Sequence, residues 1–179
     1  YTNSMNGTSS ATPVTSGAIA TIIEANPNLT WRDVKYILAK TATKVDPDFA
    51  GVKTQLTDST GASVNYQVEQ GWINNGAGFH FSNWYGFGRI NLADAVKLAH
   101  NYTSPLGKYI ERPWWPEYKL ASMPLTPGDF NGLEVTTSIP YEQRTIIESV
   151  MIEISADSSY VGDMALELTS PVGTKSLIW

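Results

Sequence analysis

The hydrophobic period changes once along this chain, and that change limits what it can fold into. Up to Asn101 the apolar residues recur at helical spacing. Trp31, Val34 and Leu38 stand at i, i+3 and i+7 with Ile37 beside them, and Leu92, Ala95, Val96 and Ala99 share one face. Towards the other end the period is two. Val150, Ile152 and Ile154 alternate with Met151, Glu153 and Ser155, and Met164, Leu166 and Leu168 alternate with Ala165, Glu167 and Thr169, as in half-buried antiparallel strands. Between the two regimes lie Pro105, Pro113, Pro116, Pro124 and Pro127 with Gly107, Gly128 and Gly132, a stretch expected to be an interdomain linker wrapping a surface. Two modules are therefore expected, one containing helices and one all-β, with turns at Ser158–Gly162 and Ser170–Gly173.

Three helices are expected in the first module. One runs from about Thr12–Pro13, where proline suits a first turn, to Asn26–Pro27. Its first charge is Glu24 and it carries Gly17, Ala18 and Ala20, so burial and close packing are expected. Thr30, with Asp33 three residues on, is a capping-box start for the second helix, and Asn91 caps the third. Residues 46–70 are polar and read as an extended surface loop, with a short hairpin around Asp58–Gly61. A Gly/aromatic stretch follows from Trp72 to Gly88.

Composition narrows the functions. Net charge is −5 with no Lys/Arg run, which argues against a nucleic-acid partner, and no apolar stretch approaches membrane-spanning length. Cysteine is absent, which excludes disulfides and thiolate-bound metals. Tyr1 stands where an initiator Met would, and Lys175–Trp179 stops inside an apolar, strand-like run, so both ends read as cut.

The string that carries chemistry is Asn6-Gly-Thr-Ser-Ser-Ala-Thr-Pro-Val-Thr-Ser-Gly17. It places Ser9 in a Gly-containing loop ahead of a helix, whose N-terminal N–H groups and positive dipole end suit a developing oxyanion. Gly7 allows close backbone approach, and Ser10, Ala11 and Gly17 are small enough for a closely seated helix. Taken alone, a serine before a helix is usually only a cap, and Gly-Thr-Ser only a loop.

The longer string resembles the nucleophile motif of subtilases, Gly-Thr-Ser-small-small-x-Pro with a further Gly four residues on. Gly7, Thr8, Ser9, Ser10, Ala11, Pro13 and Gly17 match it. The stretch from Glu24 to Asp33, Asn75–Gly78 and Tyr85–Gly88 are similar to segments of the kexin/furin branch, and Gly162–Ser176 resembles the core hairpin of that branch's P domain. The resemblance implies an α/β subtilisin-like fold followed by a truncated all-β sandwich or jelly-roll P domain. It implies the C-terminal part of a catalytic domain in residues 1–103, a Pro-rich linker in 104–133 and the start of a P domain in 134–179. It further implies a serine endopeptidase acting on polypeptides, with Ser9 as nucleophile and Gly7 and Thr8 supporting substrate and oxyanion. Its Asp, His and oxyanion Asn are expected upstream of Tyr1, and the isolated chain is expected to be inactive. Calcium is the implied cofactor, without identifiable ligands, and a secreted, periplasmic or cell-surface location is implied. Residues 46–70 depart from the pattern by being longer than in furin-like members, and Ser82-Asn83-Trp84 stands where the branch often has a His. Lack of cysteine favours a bacterial relative.

The residues admit other readings. His80 and His100 follow Ser9 in an order that suits α/β-hydrolases, but Gly7-Thr-Ser-Ser-Ala11 is not Gly-x-Ser-x-Gly and Tyr1–Asn6 is no apolar strand, so both are expected to be structural. Asp157, Asp163 and Glu167 around a turn are expected to be solvated rather than metal-bound, and Trp114–Trp115 to pack the linker. The three Asn-x-Thr sequons at Asn6, Asn28 and Asn101 read as coincidence. The competing function is an inert piece that only binds a partner or supports a protease core.

Overall fold

A computed structural model describes residues 4–111, 124–136, 146–155 and 160–178. Helix α1 spans Thr8–Ala25, α2 Trp31–Thr41 and α3 Leu92–His100. Strands β1 (Gly51–Thr57) and β2 (Ser63–Gln70) form one antiparallel hairpin, β3 (Ile73–Asn74) and β4 (His80–Phe81) a second, and β5 (Glu167–Thr169) and β6 (Lys175–Leu177) a third.

The first module is organised around a small apolar centre. Ile22 of α1, Ile37 of α2, and Ala95 and Ala99 of α3 are fully buried, with Leu29, Leu38, Val96 and Tyr102 packed against them. Asn26 ends α1 and ties it to α3, its side-chain amide donating to the Ala99 carbonyl at 3.0 Å. The α2 start is a complete capping box. The Thr30 hydroxyl accepts from Asp33 N–H at 3.3 Å, and the Asp33 carboxylate accepts from Thr30 N–H at 2.9 Å. Asn91 caps α3 through Asp94 N–H at 3.1 Å.

Helix α1 departs from expectation twice. It begins at Thr8 rather than Thr12–Pro13, because the Gly7 carbonyl already accepts from the Ser10 and Ala11 N–H groups, each at 3.2 Å. Pro13 thus lies inside the helix. The helix is also mostly exposed. Ile22 is its one buried residue among those described, with Ala18, Ile19 and Ala25 half-buried, while Val14 is 72% exposed and nothing lies within 4 Å of a Cβ added at Gly17. The close seating expected from its small residues has no counterpart among the described residues.

Residues 46–70 are more regular than a loop. The β1–β2 ladder runs from Gly51↔Gln70 to Thr57↔Ser63, with a bulge between Val52 and Lys53. The turn lies where the Asp58–Gly61 signal put it. Asp58 Oδ1 accepts from Thr60 N–H at 2.8 Å and Ala62 N–H at 2.9 Å, closing the loop on its own side chain.

In the second module the alternation over residues 164–169 holds, with Met164, Leu166 and Leu168 half-buried and their neighbours exposed. The Ser170–Gly173 turn is present, Gly173 N–H donating to the Ser170 carbonyl at 2.9 Å. Val150, Ile152 and Ile154 are a correction: they are exposed and in no strand, because no described segment pairs alongside them. Val161–Asp163 is a turn of 3-10 helix, whereas Ser158, Asp157 and Trp114–Trp115 lie outside the described residues. The described residues of the second module therefore show one short hairpin and not the β-sandwich expected of a P domain.

Candidate active site

Ser9 is the second residue of α1 and is exposed, between Thr8 and half-buried Ser10. Gly7 precedes the helix at φ +84°, in the left-handed region where an L side chain is strained, although a Cβ there would meet no neighbour. Three consecutive residues, Gly7, Thr8 and Ser9, thus form the tip of one helix. The N–H groups of Thr8 and Ser9 precede the first residue with an i−4 acceptor, so both point outward without an intrahelical partner. The Ser9 carbonyl is also left over, because Pro13, four residues on, has no N–H to donate.

The hydroxyls of α1 separate into two sets. Ser10 donates to the Gly7 carbonyl at 2.9 Å, Thr12 to Thr8 at 2.8 Å, Thr15 to Ala11 at 3.0 Å, Ser16 to Thr12 at 3.1 Å and Thr21 to Gly17 at 3.1 Å. The two hydroxyls of the first turn, Thr8 and Ser9, make no such bond among the described residues, so the Ser9 proton and lone pairs stay available.

The two histidines lie elsewhere. His80 Nε2 stands 2.8 Å from the Phe87 carbonyl, and its ring meets Trp72 edge-on at 5.4 Å. His100 is the exposed last residue of α3. Neither forms a hydrogen bond with Ser9. No group of three acidic, His or Cys side chains able to hold a metal ion occurs among the described residues, and Glu167 is paired with Lys175 at 2.8 Å. The described residues thus assemble no calcium site from such side chains.

One polar network escaped sequence reasoning. Buried Asp33, recognised as a cap, also accepts from the Ser104 hydroxyl, and Tyr102 sits beside both. Burial would raise the Asp33 carboxyl, but bonds from Ser104 and Thr30 outweigh it and hold the group below the ordinary carboxylate range. Burial also pushes the Tyr102 hydroxyl up to about 12. Next to Asp33, Arg32 donates to the Leu106 and Gly107 carbonyls at 3.0 Å each and pairs with Glu148. Helix α2 is thereby tied to the linker through main-chain carbonyls, which carry no residue-type signal.

Residues 1–88 match the subtilase family, peptidase S8, and this part of the chain belongs to that family. More particularly, the chain is 36% identical over 178 residues to an extracellular serine protease of Aeromonas sobria, the alignment taking in 99% of this chain and 28% of the relative. It is 32% identical over 196 residues to neuroendocrine convertase 2 of Caenorhabditis elegans, again covering 99% of this chain and 28% of the relative. Among solved structures, the complex of the Aeromonas sobria serine protease and its chaperone superimposes with a TM-score of 0.58 at 44% identity, over 62% of this chain and 18% of that one. The subtilisin-like fold is supported on this basis, as is the kinship with bacterial subtilisin-like and kexin/furin-type proteases. The chain spans a little over a quarter of the length of these curated relatives.

Proposed function

We propose that this chain is the nucleophile-bearing part of a kexin-like serine endopeptidase, with Ser9 as the attacking residue. The observation that carries the reading is the exposed, unbonded Ser9 hydroxyl on a helix N-terminus, within a run of hydroxyls that are otherwise all bonded back to the helix from Ser10 onward. Ser9 Oγ attacks the carbonyl carbon of a peptide bond while a histidine takes its proton, and that proton then passes to the departing amine. Water hydrolyses the Ser9 ester in the second half-reaction. The Ser9 N–H, aligned with the helix dipole, donates to the oxyanion. Gly7 lets the substrate backbone approach, and Thr8 carries the turn that aims Ser9.

The histidine, its orienting aspartate and an oxyanion asparagine belong, in this reading, to residues preceding Tyr1. His80 and His100 supply neither role, given their positions and partners. Residues 1–103 are read as catalytic-domain sequence, 104–133 as linker and 134–179 as the beginning of a P domain. A polypeptide substrate, calcium held by residues outside the described set, and a secreted, periplasmic or cell-surface location complete the proposal. The extracellular relative supports the location.

A fluorophosphonate probe tests it. The full-length, calcium-loaded protein is expected to be labelled on Ser9, and Ser9→Ala to lose the label entirely. The 179-residue chain alone is expected to remain unlabelled. A folded full-length protein that takes no label overturns the assignment.

A further inference from the structure

The catalytic reading gives the β1–β2 hairpin no task. Its tip and middle touch the linker, and its base reaches the second module. At the tip, Ser59 N–H donates to the Gly128 carbonyl at 3.0 Å. Midway, the Tyr66 ring lies 5.6 Å from Phe130. At the base, the Gln70 side chain meets the backbone of β6 in a paired arrangement. Its amide donates to the Lys175 carbonyl at 2.9 Å, and its carbonyl accepts from Leu177 N–H at 3.2 Å.

The direction of these groups is set by strand geometry. Residues 174 and 178 turn their polar groups toward the partner segment: the Thr174 carbonyl accepts from Ser170 N–H at 2.8 Å, and Ile178 N–H donates to Leu166 at 2.8 Å. The Lys175 carbonyl and both polar groups of Leu177 therefore face away from β5. All three are satisfied from the first module, two by Gln70 and the third by Asn83, whose amide donates to the Leu177 carbonyl at 3.0 Å. A side-chain amide presents one donor and one acceptor, as a peptide group does, so Gln70 acts as one rung of a missing neighbouring strand. Close by, Thr174 Oγ1 accepts from Gly76 N–H at 3.2 Å, and a Cβ added at Gly76 would sit 2.5 Å from a Val172 methyl. A cleft of about 130 Å³ lined by Tyr66, Gln67, Gln70, Glu167 and Leu177 is the gap left between the two surfaces.

We infer that the 51–70 hairpin, with Asn83, is an interdomain latch whose partner is the outward edge of β6 in the same chain, and that Gln70 holds the second module in its position on the first. The inference does not depend on Ser9. Hydrogen exchange of the full-length protein reads it directly, because the Leu177 amide is the one protected by Gln70 Oε1. In Gln70→Ala that amide is expected to exchange roughly tenfold faster, whereas amides of α1 keep their rates. Unchanged exchange at Leu177, or an equal acceleration in α1, overturns the latch. Should Gln70→Ala fail to fold, Gln70→Met keeps the length of the side chain and removes both of its amide hydrogen bonds to β6. The same local acceleration is expected there, and its absence overturns the inference equally.

Discussion

At the scale of single residues, Asp33 shows how one side chain serves two structures. Its carboxylate closes the α2 capping box with Thr30 and also receives the Ser104 hydroxyl from the start of the linker. Because these bonds hold its folded-state pKa below the ordinary value, they add stability that is present above about pH 4 and is lost as pH falls through the folded value. Thermal melts of the full-length protein between pH 6 and pH 2 are expected to show this loss. Asp33→Asn is expected to be less stable by about 1–3 kcal/mol at neutral pH and to lose less on acidification. A variant with the same acid profile as the unmodified protein contradicts the assignment. The cap was legible in the sequence because Thr30 and Asp33 stand three residues apart. The Ser104 bond was not, since it joins positions 71 residues apart that only the fold brings together.

Among elements, the β1–β2 hairpin is tightly constrained where it begins. Gly51 has φ +86°, and a Cβ there would fall 2.2 Å from the Glu69 carbonyl oxygen. Gly51→Ala is therefore expected to cost about 2–3 kcal/mol, read by denaturant unfolding of the full-length protein. A cost under about 0.5 kcal/mol would mean the strand pair is not formed as described. This hairpin also marks where sequence reading fell short. Its turn was visible in Asp58–Gly61, and Val64 and Tyr66 alternate with polar neighbours, but the ladder carries so many Thr, Gln and Asn residues that its polarity masked its period. Helix α2 was the opposite case, with a strong apolar face and a paired cap, and it lies where its spacing placed it. Helix α1 starts earlier than its proline suggests, because Pro13 suits a first turn but Gly7 begins the helix. The nucleophile candidate was readable through the small-residue string around Ser9. Its availability was not, since that depends on which hydroxyls bond back to their own helix.

At the scale of the whole molecule, the described residues enclose little interior. Among the described residues the buried apolar set is Ile22, Val34, Ile37, Ala95 and Ala99, while Val14, Met151 and Val172 are each more than 70% exposed. Folding of the 179-residue chain by itself is expected to be poorly cooperative, with thermal transitions by circular dichroism and intrinsic fluorescence that do not coincide. A single sharp transition seen identically by both probes contradicts this. The treatment of β6 has a further consequence, this time for encounters between molecules. A strand whose outer N–H and C=O groups point into solvent is a template on which another chain can add itself. Here Gln70 and Asn83 occupy those positions with side chains that end after one amide and offer nothing to extend from. The same contacts that seat the second module thus act as a terminator for sheet growth, and a molecule that lost them would expose a short adhesive edge before it lost its fold.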